Sequence, residues 1–258
     1  MVEMTELAVS PAESTTGRVV QVLLAFSQGS QLLGITEIAR STGLSKAVVH
    51  RILQELGKSE LVVQHRETRK YMLGNGAFAL SNNAAAQSKL RSTGMSVIAS
   101  LAEDTGETTT LSARVGHRRI YLGQIESSQL IRISVQVGMS LPLSVGASGH
   151  AMLAFLPHSE AEEILERPVP AANDRTETRP GLIRDRLARI RESGYARTDS
   201  ERVAESVSFA APIFGSTGEV AGSISIAALA SRVDASREAT LSRRVIEAAG
   251  KISKQLHI

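Results

Sequence analysis

Two helices separated by a tight glycine turn are encoded between Thr36 and Lys58, and this segment constrains the fold more than any other. Thr36 is expected to cap the first helix and Ser45 the second, because both hydroxyls can accept a hydrogen bond from the first turn. In the second helix the apolar residues recur at helical spacing and form one stripe: Val48, Val49, Ile52, Leu53 and Leu56. A short helix, a turn and an amphipathic helix in this order predict a helix-turn-helix.

The other face of the second helix is polar and rich in hydrogen-bond donors. Lys46, His50 and Gln54 recur at i, i+4 and i+8, with Ala47 and Arg51 beside them. A helix with an apolar stripe on one side and such donors on the other can lie in the major groove of DNA, where Lys, Arg and Gln reach phosphates and base edges. The pattern therefore predicts a recognition helix.

A hairpin with a basic tip follows the predicted recognition helix. Two strand-like runs at 61–63 and 71–73 flank a loop at 64–70, as in the wing of a winged helix. The alternative is an ordinary αα-hairpin with a solvated charged face. The candidate DNA contacts are Arg18, Thr36, Ser45, Lys46, Ala47, His50, Arg51, Gln54, Arg66, Arg69 and Lys70.

Basic residues are concentrated in this N-terminal region. The segment from Arg18 to Lys70 holds eight basic and four acidic residues, a surplus of four, whereas the whole chain has a net charge of only +3. A local surplus is expected where a domain contacts phosphates. Many solvated faces are equally basic, so the charge alone is weak evidence.

Length and composition fit a protein of two ordinary domains. The chain has 258 residues and no cysteine, which excludes disulfides, thiolate metal sites and cysteine nucleophiles. No apolar run approaches the roughly 20 residues of a membrane span. Residues 1–16 are predicted to be a disordered tail without the features of a secretory signal. Together these features predict a cytoplasmic protein.

Alternation of apolar and polar residues predicts strands in the second half of the chain, at 109–115, 120–125, 131–137, 207–214 and 220–228. Residues 116–119 are predicted to form a turn. Helices are predicted at 147–156, 160–166, 183–194 and from about 235 onward. The fold class is therefore α+β: a winged helix-turn-helix at 17–74, a linker helix at 75–95, and an antiparallel sheet flanked by helices at 96–258.

Three regions resemble the IclR family of bacterial transcription regulators. The first is 35–46 with 49–53, the second is 141–143 with 146–151, and the third begins at 194–195 and includes 208–214 and 222–225. The resemblance implies a GAF-like effector-binding domain and a homodimer that often pairs into a tetramer. It also implies that the protein binds a double-stranded DNA operator and that a small organic acid or related metabolite controls this binding. Whether the regulator represses or activates transcription stays open. No cofactor, metal or membrane partner is expected.

The resemblance further implies an effector pocket. It assigns to this pocket Ala147, Ser148, Gly149, Thr198, Ser208, Ser225 and Ala227. Backbone N–H groups at the start of the helix that follows Gly146 suit an anion such as a carboxylate. Thr198 and Ala227 stand where relatives carry an acid and a hydroxyl, and Phe209 where they carry a small aliphatic residue. These departures predict an effector larger or less polar than glyoxylate or pyruvate.

Catalytic interpretations have weaker support. Ser148 does not lie in the nucleophile elbow G-x-S-x-G, and the six histidines show no metal-binding spacing. Asp199, Glu201 and Glu205 are expected to form a solvated acidic loop. The competing interpretation is a ligand-binding module or small-molecule enzyme with an oligomerising N-terminal domain. A GntR-type regulator is disfavoured by the predicted strands.

Overall fold

The computed structural model describes residues 14–27 and 32–257. They fall into two compact units, with the boundary between Ser88 and Lys89. The predicted tail at 1–16 lies outside the described residues except for its last three. There the first helix begins earlier than predicted, at Thr15, because the Ser14 hydroxyl caps it by accepting a hydrogen bond from the backbone N–H of Gly17.

The first unit is a small helical domain with a two-stranded hairpin. Its elements are α1 (Thr15–Ala25), α2 (Ile35–Thr42), α3 (Lys46–Lys58), β1 (Val62–Gln64), β2 (Tyr71–Leu73) and α4 (Asn75–Gln87). Apolar side chains of α1, α2 and α3 pack together with Val62 and Tyr71 of the hairpin. The turn between α2 and α3 reverses at Gly43, whose φ of 69° is costly for any residue with a Cβ.

The start of α2 differs from the prediction, since Thr36 is not its cap. Gly34 occupies the N-cap position, and the Glu37 carboxylate accepts a hydrogen bond from the Gly34 N–H at 2.5 Å. This hydrogen bond lowers the pKa of the Glu37 carboxyl. Ser45 caps α3 as predicted, with its hydroxyl accepting from the Val48 N–H.

The second unit contains a six-stranded antiparallel sheet and five α-helices among the described residues. Its elements are α5 (Lys89–Thr105), β3 (Thr108–Val115), β4 (Arg118–Ile125), β5 (Ser140–Pro142), α6 (Gly146–Leu153), α7 (His158–Leu165), α8 (Pro180–Ser193), β6 (Ala196–Asp199), β7 (Ser206–Phe214), β8 (Val220–Leu229) and α9 (Ala235–Leu256). The strand order is β5-β4-β3-β8-β7-β6. The predicted linker helix at 75–95 therefore covers α4 and the first turns of α5, which are separate helices.

The two faces of this sheet have different partners. On one face, Leu111, Phe209, Ile224 and Ile226 pack with apolar residues of α5 and α9. On the other face, Ala210 and neighbouring small residues pack with α6, α7 and α8. Alternation along β8 thus places its isoleucines toward the helix pair and its serines on the opposite face.

The strand predicted at 131–137 is wrong, although its apolar residues alternate. The segment has no regular secondary structure, and side chains rather than a neighbouring strand bond to its backbone: Gln124 accepts from the Val135 N–H at 2.6 Å, and Thr108 donates to the Ile133 carbonyl at 2.7 Å. The turn predicted at 116–119 is also too long. Arg118 and Arg119 belong to β4, and the reversal is made by Gly116, with a φ of 56°, and His117.

Candidate functional sites: an exposed cationic helix face and a buried cavity

The predicted recognition face of α3 is exposed along its whole length. The six candidates on this helix and its cap are all exposed: Ser45, Lys46, Ala47, His50, Arg51 and Gln54. Within the described residues the side chains of Lys46, His50, Arg51 and Gln54 form neither a hydrogen bond nor an ion pair with the chain. Burial of Val49, Ile52, Leu53 and Leu56 packs the helix against the core of its unit. The polar side chains on its opposite face therefore point into solvent.

The predicted wing is a short hairpin closed by backbone hydrogen bonds. The His65 N–H donates to the Lys70 carbonyl at 2.7 Å, and the Arg69 N–H donates to the His65 carbonyl at 3.0 Å. Arg66 and Arg69 are exposed at its tip. Lys70 instead forms an ion pair with Glu37 at 3.2 Å, which compensates part of its charge. Of the other candidates, Thr36 is exposed and Arg18 is half-buried in α1.

A cavity lies in the second unit, on the sheet face away from α5 and α9. Its volume is about 40 Å³, measured as the space open to the centre of a water-sized sphere. Six of the seven predicted effector residues line it, namely Ala147, Ser148, Thr198, Ser208, Ser225 and Ala227. Gly149 does not line it, because its Cα faces the backbone of Leu143.

Cross-strand pairing explains why residues distant in sequence meet in this wall. Thr198 pairs with Ser208, and Ser208 pairs with Ala227, so the three form one row across β6, β7 and β8. In the adjacent row Thr110 and Ser225 share a hydrogen bond of 2.7 Å between their hydroxyls. Small side chains along both rows leave the space that the cavity occupies.

The sequence prediction missed two arginines and a tyrosine in the cavity wall. The Arg119 guanidinium lies 4.8 Å from the centroid of the Tyr121 ring, and that of Arg202 lies 5.8 Å from it. Arg202 also donates to the Tyr121 hydroxyl at 2.6 Å. Burial favours a raised pKa for this phenol, but the two guanidiniums outweigh it and lower the pKa below its usual value.

A β-bulge turns Arg119 and Tyr121 toward the cavity. Leu111 pairs with Gly123 but the next residue, Ser112, pairs with Tyr121, so Leu122 is an extra residue in β4. An extra residue reverses which face the following side chains occupy. A strict two-residue alternation read from the sequence therefore cannot place both ends of this strand correctly.

Glu201, expected in a solvated loop, is instead buried and lines the cavity. One of its oxygens pairs with Arg186 of α8, which also donates to His150 Nδ1 at 3.3 Å. Burial raises the pKa of the Glu201 carboxyl, and Arg186 opposes that rise. Burial and the charge of Arg186 lower the pKa of His150 to about 4, so its Nε2–H donates to the Ser144 carbonyl at 2.9 Å from a neutral ring.

The prediction of a less polar effector loses its support in the cavity wall, because Arg119, Arg202 and Glu201 all line it. Phe209, one basis of that expectation, points away from the cavity and is fully buried 6.4 Å from the ring of Tyr195.

The same geometry disfavours a hydrolytic site at Ser148. Both ring nitrogens of His150 are engaged, one by Ser144 and the other by Arg186, so this imidazole is not placed to take a proton from the Ser148 hydroxyl. Across the described ranges, no group of three His, Asp or Glu side chains is arranged to hold a metal ion. In those ranges no helix has the length and apolar character to cross a membrane.

Comparison with known proteins identifies the same protein family in both units. Residues 15–66 match the IclR helix-turn-helix domain, and residues 83–254 match the IclR C-terminal domain of bacterial transcriptional regulators. The chain is 31% identical to the HTH-type transcriptional regulator BhcR of Paracoccus denitrificans, over 90% of this chain and 82% of that protein.

Solved structures share the fold along nearly the whole chain. A putative IclR transcriptional regulator from Silicibacter sp. TM1040 superposes with a TM-score of 0.85 at 30% identity, covering 95% of this chain and 96% of that one. An IclR homologue from Microbacterium hydrocarbonoxydans, solved in complex with 4-hydroxybenzoate, shares the fold with a TM-score of 0.75 at 23% identity, covering 94% of this chain and 99% of that one.

A helix-turn-helix with an exposed cationic face, followed by a domain with a polar cavity, defines an effector-responsive DNA-binding transcription regulator. The chain belongs to the IclR family of these regulators. A ligand-binding module or enzyme with an N-terminal oligomerisation domain is not favoured, because the N-terminal unit itself matches a DNA-binding domain.

Proposed function

We propose that α3 enters the major groove of a palindromic operator and that the hairpin between β1 and β2 holds the DNA backbone. The supporting observation is the exposed row of donors on α3 that have no partner within the described chain. Lys46 and Arg51 reach phosphates or base edges, and Arg66 and Arg69 contact phosphates. A regulator of this kind acts in the cytoplasm and catalyses no reaction.

We also propose that the chain works as a homodimer that can pair into a tetramer. Helix α4 has no buried residue along its 13 positions, and it exposes 66% of Phe78 and 63% of Leu80. Apolar side chains that the described residues leave exposed on a helix favour association with a second copy. Two chains related by a two-fold axis then match the symmetry of a palindrome.

The effector site in this proposal is the cavity lined by Ala147, Ser148, Thr198, Ser208 and Ser225. A small organic acid bound there interacts differently with two arrangements of the dimer, and this difference in affinity shifts the population that binds the operator.

Substitution within α3 tests the DNA-binding assignment. Arg51→Ala is expected to weaken binding of the full-length protein to DNA upstream of its own gene by about 1–3 kcal/mol, since it removes a base or phosphate contact. Fluorescence anisotropy at fixed salt measures the loss, and Lys46→Ala added to it should deepen that loss.

Lys58→Ala is the matched control, because Lys58 is also exposed on α3 but lies at its C-terminal end in an ion pair with Glu55. The affinity of the Lys58→Ala variant for this DNA should equal that of the wild type. Light scattering on the same samples should give two or four chains per particle. Unchanged binding in the Lys46→Ala, Arg51→Ala double variant would remove the recognition-helix assignment.

A further inference from the structure

The charges that line the cavity do not balance. Arg119 and Arg202 contribute two positive charges, and among the lining residues Glu201 is the acid. That carboxylate is already paired with Arg186, which is not a lining residue. The cavity wall therefore holds two cationic groups without an acidic partner among its lining residues.

Arg119 is the more unusual of the two, since only 1% of it is exposed. Within the described residues its Nε and Nη1 have no hydrogen-bond partner. A buried guanidinium with unmade hydrogen bonds is destabilising, because water is lost and nothing replaces it. A bound anion removes this cost, and a planar carboxylate matches the guanidinium fork with two parallel hydrogen bonds.

Both arginines converge on the first turn of α6. A Cβ built on Gly146 would lie 3.6 Å from Arg119 Nη2 and 3.2 Å from Arg202 Cδ. Gly146 has a φ of 72°, and the residue before it, Val145, gives α6 no side-chain cap. The Gly146 N–H is bonded to the Glu201 carboxylate, while Ala147 and Ser148 of the same turn line the cavity beside the two arginines, where the N-terminus of a helix favours negative charge.

The rest of the wall suits a short carbon skeleton. Ile133, Val135, Ala147, Val203 and Ala227 provide apolar surface between the polar groups. Two separate planar cations next to an apolar wall are complementary to an organic molecule with an acidic group at each end. One carboxylate shared by both guanidiniums is the alternative, and the paired monocarboxylates below test it.

We propose that the effector of this protein is a small dicarboxylate, with one carboxylate bound by Arg119 at the start of α6 and the other bound by Arg202. This inference rests on the proposed function only in taking the cavity as the effector site. It replaces the expectation of a less polar effector.

Calorimetric titration of the full-length protein tests the inference. The ligands are malonate, succinate, glutarate, adipate and phthalate, each paired with the monocarboxylate of the same skeleton, and phosphoglycolate as a phosphorylated dianion. At least one dicarboxylate should bind about tenfold or more tightly than its monocarboxylate, as expected for one added charged hydrogen-bonded pair. The Arg119→Gln variant should lose this preference, and Arg202→Gln should reduce it.

Arg118→Gln is the matched control. Arg118 is the preceding residue of β4, and its guanidinium donates to the hydroxyl and carbonyl of Ser140 at 2.9 Å instead of lining the cavity. This variant should keep the preference for the dicarboxylate. Thermal unfolding without ligand should show that Arg119→Gln is folded. If that variant does not fold, the reduced dicarboxylate preference expected of Arg202→Gln tests the inference instead.

Three results would overturn the inference: no dicarboxylate preferred over its monocarboxylate, a preference that survives Arg119→Gln, or tighter binding of phosphoglycolate than of any dicarboxylate. Anisotropy with operator DNA and wild-type protein separates this inference from the proposed function. DNA binding without a dicarboxylate preference contradicts the inference alone. A dicarboxylate preference without DNA binding contradicts the proposed function alone.

Discussion

Gly149 lies within α6, where the helix passes close to the backbone of Leu143. A Cβ at this position would lie 2.5 Å from the Leu143 carbonyl oxygen, a contact that only a shift of the backbone can relieve. Gly149 therefore permits close packing of α6, a different role from the effector contact that the family resemblance implies for it.

Gly149→Ala is expected to lower the free energy of unfolding by about 1–3 kcal/mol, because the added methyl group overpacks this contact. Gly181→Ala is the matched control, since Gly181 also lies in a helix but no atom of the described chain lies within 4 Å of its added Cβ. That change should be neutral or stabilise by up to about 1 kcal/mol. Urea denaturation of both variants measures the difference, and equal stabilities would contradict this packing.

His150 makes the stability of the second unit depend on pH. Its pKa is about 4 in the folded chain and 6.5 when unperturbed. Between these values the unfolded state binds more protons, so the free energy of unfolding rises with pH. The contribution of His150 is complete above about pH 6.5 and is lost as the pH falls toward 4, a total of about 3 kcal/mol.

Comparison of the wild type with His150→Gln isolates this contribution. Denaturation at several pH values should show a shallower slope between pH 4 and 6.5 for the variant than for the wild type. Identical slopes would mean that the ring of His150 is not held in its neutral form.

The residues that sequence reasoning missed are those whose partners lie far away in the chain. The local pattern Gly-His-Arg-Arg is typical of a turn and therefore does not reveal that Arg119 lies in a strand. Glu201 looked solvated because nothing near it indicates its pairing with Arg186 of α8. By contrast, Thr198, Ser208 and Ser225 were placed in one pocket through the family resemblance, and strand register brings them together.

The irregular segment at 126–139, which includes the strand predicted at 131–137, illustrates the same limit at the level of an element. It carries Ile133 and Val135 into the cavity wall, although it pairs with no strand through most of its length. Thr108 of β3 is its anchor, accepting from the Ser127 N–H at 3.0 Å and donating to the Ile133 carbonyl. Alternating sequence indicated which residues are buried, but side-chain hydrogen bonds replaced the expected ladder.

Thr108→Val should increase amide hydrogen exchange across residues 127–136, because it removes this anchor. Thr109→Val is the matched control: Thr109 is equally buried and donates at 2.7 Å to the Ile98 carbonyl of α5, on the other face of the sheet. Each variant should lose about 1 kcal/mol of stability. Exchange in 127–136 that rises equally in both would contradict the anchoring role.

Elements with a clear period could be predicted from the sequence. Helices α3, α8 and α9 and strands β3, β7 and β8 lie close to their predicted positions. The short strands β5 and β6 were missed, because three or four residues at a sheet edge give too little alternation to recognise. Strand β4 begins two residues earlier than predicted, and its bulge interrupts the alternation.

The whole molecule has two sets of positively charged side chains, one exposed and one around a cavity, that the overall composition does not reveal. The net charge of +3 suggests little, yet the N-terminal unit exposes basic side chains on α3 and the hairpin, while in the second unit a buried Arg119 and a half-buried Arg202 line a cavity. Exposed cations suit a polyanion such as DNA, which releases its bound counterions when the protein binds. Buried cations suit a small anion that replaces lost water. We therefore expect the first set of cations to bind DNA and the second to bind the effector.

The salt dependence of DNA binding tests the first assignment most directly. Anisotropy titrations of the full-length protein at several salt concentrations should give a linear fall of log affinity with log salt, with a steep negative slope. Arg66→Ala with Arg69→Ala should make that slope less negative by about one unit for each phosphate contact removed. A slope near zero, or one unchanged in this double variant while affinity falls, would contradict the account.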